Sequence, residues 1–534
     1  MNEKHKILLL DYVGELFSNN QKSENSQLVL PVGLMYISSY LKARMDNLEI
    51  KLIKSYVDFI GDEELAAVIE AFQPDVIGIR CLSLDIIPLF SSAKFIRERY
   101  RKENHIIVIG GPITNAQTAK VYDSKLFDYL VVNEGERAMY EIVDAYVNHR
   151  PVRENVPGLV YDLKNYSGDF IDELDELPFP DYDLIDFSKY DNFLNYGYNR
   201  ARQGVMVTSR GCPFRCTFCH NIMGRSARLR SSSNVFEEIQ YLRKNYDILD
   251  FFIVDDIFNI NYQRAMDVFD LIIKNKLKVN LYFPNGIRGD ILDRTYIDRM
   301  VEAGTKYVSF AVETASERLQ KIIKKHVKLE KLKELIKYTC DQDIMVNAFF
   351  MFGMPGETEE EALMTVKYAE DLDKLHFPYI FFARYYEGTE MYQQALESGF
   401  SDDMIHSSIN QMYHDIDNYS TPTLSNEMVK HIKGYFLSRI IFNKKRIAQV
   451  LKVERKYHTE QQTVDMIYSM YNVKVDSVKE FEDYVETLSN SSFVRQFSKP
   501  WPLSNVAPKP AARRSLDVLE LPRAQPEYSS ERPL

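Results

Sequence analysis

At 534 residues the chain exceeds what one hydrophobic core supports and predicts two or three domains. Hydrophobic residues at 45% and charged residues at 27% are the values of a globular protein and exclude a fibrous or largely disordered chain. A formal net charge of -11 without a basic, aromatic-laced stripe argues against nucleic acid, and no apolar run has the roughly eighteen residues of a membrane helix, so a cytoplasmic protein acting on small molecules or peptides is expected.

Residues 1–145 alternate short apolar runs with helical patterns. The runs KILLLDYV (6–13), EIKLIKSY (49–56), DVIGIRCLS (75–83), HIIVIGG (105–111) and YLVVNEG (129–135) predict five strands. Strands separated by helices imply an α/β, Rossmann-like (flavodoxin-like) parallel sheet, whose ligands bind beyond the carboxyl ends of its strands. Residues 146–200, rich in Pro, Asp and Tyr, read as a linker. From 201 to 400 a second series, GVMVTSR, DFFIVDD, VNLYFPNG, YVSFAVET, IMVNAFFMFG and PYIFFARYY, predicts a partial (β/α)6 barrel with its chemistry at the carboxyl ends. Residues 401–495 are helical and are expected to cover the barrel mouth, where Arg384, Tyr385 and Tyr386 could face substrate; the Pro-rich, polar stretch 496–534 predicts a disordered tail.

Three of the five cysteines fall within eight residues, in RGCPFRCTFCH at 210–220, directly after the first barrel strand. Cys212, Cys216 and Cys219 have the spacing Cys-x3-Cys-x2-Cys, so three thiolates on one loop can bind three irons of a cubane and leave the fourth iron open. A closed zinc site is the other reading; it needs a fourth protein ligand, and only His220 is near enough. Cys81 and Cys340, in or beside apolar segments, read as buried thiols.

This spacing, the aromatic Phe218 before the third cysteine and the position after a first barrel strand resemble the radical S-adenosylmethionine (SAM) superfamily over residues 201–400. The resemblance implies a 4Fe-4S cluster whose open iron binds the amino and carboxylate groups of SAM, and reductive cleavage of SAM to a 5'-deoxyadenosyl radical. It further implies SAM contacts from Phe218, from Asp255 or Asp256 in FIVDDIF to the amino group, and from Glu313 in FAVETAS to the ribose or amino group. Helix capping is the alternative for either aspartate. Gly353, Pro355 and Gly356 in FFMFGMPGET match the adenine-side motif, where glycine lets backbone approach a planar base. YYEGTEMY at 385–392 resembles a Pro-Gly-Thr turn but carries Glu387 where proline is usual.

The amino-terminal domain resembles the cobalamin-binding domain that precedes many such barrels, on LPVGLMYISSYL (30–41), DVIGIRCLS, VIGGP (108–112) and VVNEGERA (131–138). Cobalamin contacts are implied from Pro31, Gly33, Ser83, Gly110, Gly111, Glu134, Gly135 and Glu136. Gly110 and Gly111 would give room for a bulky nucleotide tail and Ser83 would donate to it. No Asp-x-His-x-x-Gly sequence occurs, so no histidine of that motif ligates cobalt. The two resemblances together imply a class B radical SAM methyltransferase-like enzyme of specialised metabolism. It would methylate an unactivated carbon or phosphorus centre of a small molecule or peptide, with an external electron donor such as flavodoxin or ferredoxin. A cyclisation or rearrangement with the same cofactors, and a non-catalytic cobalamin or metal carrier, are the other readings.

Overall fold

Runs of Ile, Leu and Val become the strands of two parallel sheets, because a strand covered by helices on both faces presents no side to water. The computed structural model describes residues 4–13, 29–82, 86–100, 105–190, 202–410, 416 and 418–497. Ser83, the linker residues 191–200 and the expected tail from 498 onward lie outside them.

The first sheet comprises β1 (His5–Tyr12), β2 (Leu48–Lys54), β3 (Val76–Cys81), β4 (Ile106–Gly110) and β5 (Tyr129–Leu130), in the order β2-β1-β3-β4-β5 and all parallel. Alternation along β1 divides the packing between its faces. Ile7 and Leu9 meet Met35 and Met139 from the helices Val32–Lys42 and Glu136–Val147, while Leu8 and Leu10 meet Ile69 and Leu89 from the helices on the other side. The run 129–135 forms a shorter strand than its sequence predicts. After Leu130 the chain leaves the sheet: Val131 bridges to Leu159, and Asn133, at φ +60°, bridges to Asp169. The segment read as a linker is therefore drawn into the structure, with Leu159, Ile171, Tyr182 and Phe187 buried in a core shared by both sheets.

The second sheet comprises β6 (Gln203–Met206), then, beyond a small ribbon of β7 (Ser209–Arg210) and β8 (Arg228–Leu229), β9 (Asp250–Ile253), β10 (Asn280–Ile287), β11 (Thr305–Glu313), β12 (Met345–Phe352) and β13 (Phe377–Phe382). Its six strands run parallel in the order β6-β9-β10-β11-β12-β13, an open half barrel. GVMVTSR is not one continuous strand. Its parallel part stops at Met206, and Ser209 and Arg210 turn into the antiparallel ribbon with β8, closing the base of the segment 211–227.

The carboxyl-terminal unit reaches both ends of the half barrel. At the mouth Ser408 Oγ accepts from Tyr385 N at 3.4 Å and Tyr419 donates to Ala383 O at 2.9 Å just after β13, while the later helices lie elsewhere. In the helix Lys444–Tyr457, Arg446 donates to the carbonyls of Leu372 and Leu375 just before β13, and Tyr457 sits under Lys306 at the start of β11. Phe436 packs on Phe350 and Phe352, and Tyr471 on Phe377. These later helices cover the open β13 edge and the amino ends of the strands; an uncovered edge strand would present unpaired backbone groups to other chains. No helix among the described residues is long and apolar enough to cross a membrane.

Candidate active site

The loop after β6 owes its shape to glycine. At φ +86°, a Cβ on Gly211 would come within 2.3 Å of the Ser226 carbonyl, so no other residue fits where the chain doubles back. Cys212 N then donates to Gly224 O at 3.1 Å and Cys219 N to Cys216 O at 3.2 Å. Thr217 ties the loop to the half barrel by donating to Ile323 O and accepting from Met391 N. All three cysteines are free, and Cys219 reaches the surface.

Burial raises the Cys212 and Cys216 thiols. Crowding by protein and the charges of Asp256, Cys216 and Cys212 push Cys219 up to about 11. The three sulfurs thus sense one another, and three adjacent thiolates call for a strongly cationic group between them. Among the described residues no three His, Cys, Asp or Glu side chains converge on a single ion, and His220 Nε2 instead faces Glu387 O at 3.0 Å. A closed zinc site is therefore not built here, whereas a cubane, which gives each cysteine its own iron, suits this donor set. Beside the loop a cavity of about 350 Å³ is lined by Cys216, Cys219, Arg215, Arg225, Lys324 and, from the first sheet's side, Asn115.

The strand ends around the loop correct several expectations. Asp255 is buried: its carboxylate accepts from Thr208 N and Oγ1, both at 2.6 Å, and from Ser209 Oγ at 2.7 Å, so it ties down the end of β6 and does not face a ligand. Asp256 is the exposed member of the pair, with its pKa raised by surrounding protein and by the Asp255 charge. Glu313 stands at a bulge in β11 with φ +66°, a strained conformation for a side-chain-bearing residue, and is held there by Lys325 Nζ at 2.6 Å. That lysine lies 5.6 Å from the Phe218 ring, and both charges of the pair act on Cys216. A Cβ on Gly353 would meet Tyr419 Oη at 2.2 Å, so this glycine makes room for a tyrosine of the same chain and not for a base. Gly356, at φ +73°, has open space on its Cβ side, and Pro355 stands beside it. Tyr385 is fully buried, donating to Gly353 O, and does not face substrate.

The carboxyl edge of the first sheet is likewise redistributed. Gly111, at φ +92°, is required by the chain itself, since a Cβ would lie 3.0 Å from Cys81 O; Gly135 packs against Ile37. Gly33 is exposed with nothing within 4 Å of its Cβ position, Gly110 has only loose contacts, and Pro31 is buried at the start of the helix Val32–Lys42. Glu134 and Glu136 face Arg210 rather than a ligand cleft. Between β1 and β3, where the strand order reverses, lies a cluster with no counterpart in the sequence reading: buried Asp11 meets Lys54, and Arg80 Nη1 at 2.8 Å. Burial alone would raise the Asp11 pKa; the two cations beside it hold it below the ordinary value. Arg210, Arg228, Lys325 and Asn133 also escaped notice. Arg210 could have been flagged by its place directly before Gly211-Cys212, but nothing in KKHVK marks which lysine turns inward.

A six-stranded parallel half barrel with three cysteines on the loop after its first strand is the architecture of a radical SAM enzyme. The family model described as the radical SAM superfamily matches residues 206–369, and the one described as the B12 binding domain matches residues 26–143. An uncharacterized methyltransferase of Pyrococcus horikoshii is 29% identical over 374 residues, 68% of this chain and 78% of that protein. The cytidylyl-2-hydroxyethylphosphonate methyltransferase of Streptomyces wedmorensis is 25% identical over 452 residues, 74% of this chain and 83% of that one. In fold, the chain matches the radical SAM methyltransferase TsrM from Kitasatospora setae, solved with cobalamin and a 4Fe-4S cluster, with a TM-score of 0.61 at 14% identity over 93% of this chain and 99% of that one. The chain belongs to the radical SAM enzymes that carry an amino-terminal cobalamin-binding domain. Its cofactors are a 4Fe-4S cluster, SAM and cobalamin, and such an enzyme needs a reductant and a substrate.

Proposed function

We propose that this enzyme transfers a methyl group to an unactivated carbon, or a phosphorus, centre of a small molecule or peptide in specialised metabolism. The observation that carries the reading is the meeting of two ligand edges: the cysteine loop stands against the carboxyl end of the first sheet, with Asn133 Nδ2 donating to Ile222 O at 2.7 Å. Relatives named as methyltransferases over most of their length support it. When bound, the cluster supplies the electron that cleaves SAM and cobalamin supplies the transferable methyl group.

In this reading residues 1–145 form the cobalamin module, joined through 146–200 to the half barrel at 201–400, and 401–495 form its buttress. Cys212, Cys216 and Cys219 hold the cluster; Asp256 receives the SAM amino group; the Glu313–Lys325 pair and Phe218 border the SAM site, with Pro355 and Gly356 on its adenine side. Gly33, Gly110 and Pro31 are the remaining cobalamin-side candidates. The reductant is an acidic one-electron carrier such as flavodoxin or ferredoxin, approaching where Cys219, Arg215 and Arg225 are exposed. Three free thiols on one loop, Cys212, Cys216 and Cys219, accord with a reducing cytoplasm.

The test is anaerobic reconstitution with iron, sulfide and hydroxocobalamin, followed by dithionite and SAM. The native chain is expected to retain cobalamin through gel filtration and to form 5'-deoxyadenosine; Cys216→Ala should retain cobalamin and form none. Nucleoside formation without cobalamin retention would refute methyl transfer, and its absence from the folded native chain would refute the cluster assignment.

A further inference from the structure

The cysteine loop is anchored at its base by the first sheet. β7 and β8 place Arg210 and Arg228 opposite one another, as the residues that enter and leave the segment 211–227. Both guanidinium groups reach the same carboxylate. Arg210 Nη1 donates to Glu134 Oε2 at 2.8 Å, and Arg228 Nη2 lies 2.5 Å from Glu134 Oε1. Arg210 Nη2 continues to Glu136 Oε1 at 2.7 Å. None of these four side chains is more than 5% exposed, so these are buried ion pairs and not the weak pairs of a surface; the two from Arg210 are also hydrogen bonds, while Arg228 meets Glu134 as a charge pair alone.

The surroundings extend the same anchor. Glu134 Oε2 also accepts from Ile171 N at 3.0 Å, and Arg228 donates to Ile171 O at 2.7 Å and to Met223 O, inside the loop, at 2.6 Å. One residue earlier, Asn133 donates from its backbone to Asn115 Oδ1 at 3.0 Å and from its side chain to Ile222 O. The end of β5 thus grips the loop at its two feet and at its middle.

We propose that Glu134 is a positioning residue for the cysteine loop, its carboxylate fixing both feet of the loop to the first sheet so that the cobalamin domain sets the seat of the cluster. The proposal rests on the reading that the three cysteines hold the cluster. A carboxylate has an oxygen for each arginine, whereas an amide of the same shape has one. Glu134→Gln removes the counter-charge from both guanidinium groups while preserving the packing: Arg210 keeps Glu136, whereas Arg228 is left with the carbonyls of Ile171 and Met223.

The experiment is hydrogen–deuterium exchange on the full, cofactor-free chain. In Glu134→Gln the peptide covering 211–227 is expected to exchange about ten-fold faster, as loss of one charge-assisted buried bond implies. The helices Val32–Lys42 and Ser232–Tyr246 should remain protected as in the native chain. Asn133→Gly, which removes the side-chain bond to Ile222 O at a φ of +60° that glycine accepts, should accelerate the same peptide about three-fold, and Arg228→Gln, which removes the Glu134 ion pair from the arginine side, decides the matter if Glu134→Gln does not fold. Unchanged exchange of 211–227 in the folded variants overturns the proposal, as does an equal rise across both helices, which would mark Glu134 as a general tie between domains. Iron is not needed for this readout. A native chain that takes up no iron on reconstitution would sink the cluster reading and leave the clamp intact.

Discussion

Glu357 carries the largest upward shift among the acids around the half barrel's mouth. Its carboxyl is fully buried at the turn after β12, where Oε2 accepts from Gly353 N at 2.5 Å and Met354 N at 3.2 Å while Oε1 meets no donor. Burial pushes its pKa from 4.5 up to about 8, against the pull of the two backbone donors. Between those values the folded chain keeps a proton that the unfolded chain has released, so stability falls as pH rises through this window. Glu357→Gln keeps the acceptor and removes the titration. The thermal midpoints of variant and native chain should nearly coincide at about pH 5 and diverge by about pH 8 in favour of the variant, the whole window amounting to on the order of 4 kcal/mol. A difference that does not grow with pH would contradict this account. At this scale the sequence was legible where spacing alone carries chemistry, as in the three cysteines. It was misleading where a polar residue finds a partner far along the chain. Asp255 binds Thr208 and Ser209, and Glu134 binds Arg210, pairings that no local pattern announces.

Among the elements, strands were readable because burial on both faces demands unbroken apolar runs, and all eleven long-range parallel strands arise from runs visible in the sequence. Their ends were not. β5 stops at Leu130 and β6 at Met206 because residues from the linker and the cysteine loop compete for the next backbone groups. The helical unit was also recognisable as helix, and Ser408 and Tyr419 do reach the mouth, but the placement of its later helices was not legible, since an amphipathic pattern says which face is buried and not against what. Its key residue is Arg446, 4% exposed, which satisfies two carbonyls below β13 and whose own pKa burial lowers to about 10. Arg446→Ala should destabilise the chain by about 3 kcal/mol, because both carbonyls lose their donor in a dry setting. The expected result is a lowered thermal midpoint and early proteolysis within 401–495, with iron content after reconstitution equal to that of the native chain. Reduced iron content would mean that this unit also shapes the cysteine loop.

For the whole molecule, a net charge of -11 repels an acidic electron carrier everywhere except where cations gather. Arg215 and Arg225 are exposed beside Cys219, and neither has an acidic ion-pair partner among the described residues. Arg225 also donates to Phe214 O inside the loop. Reversing the one that makes no bond within the loop among the described residues, as Arg215→Glu, should raise the KM for reduced flavodoxin several-fold and flatten its dependence on salt, while dithionite-supported 5'-deoxyadenosine formation stays at the native rate. An equal loss with both reductants would place Arg215 in the cluster's environment and not on a docking surface.

The shared anchor at Glu134 also bears on synthesis, because its two sides leave the ribosome at different times. The first sheet is translated before the half barrel, and until Arg210 and Arg228 emerge, Glu134 and Glu136 are hydrated carboxylates at the rim of a nearly finished sheet. A first sheet that folds as it emerges would offer those carboxylates to the cysteine loop as a template. A fragment beginning at residue 202 would lack that template and bring two buried-type arginines to the surface with no counter-charge, so the direction of synthesis follows the direction of structural dependence.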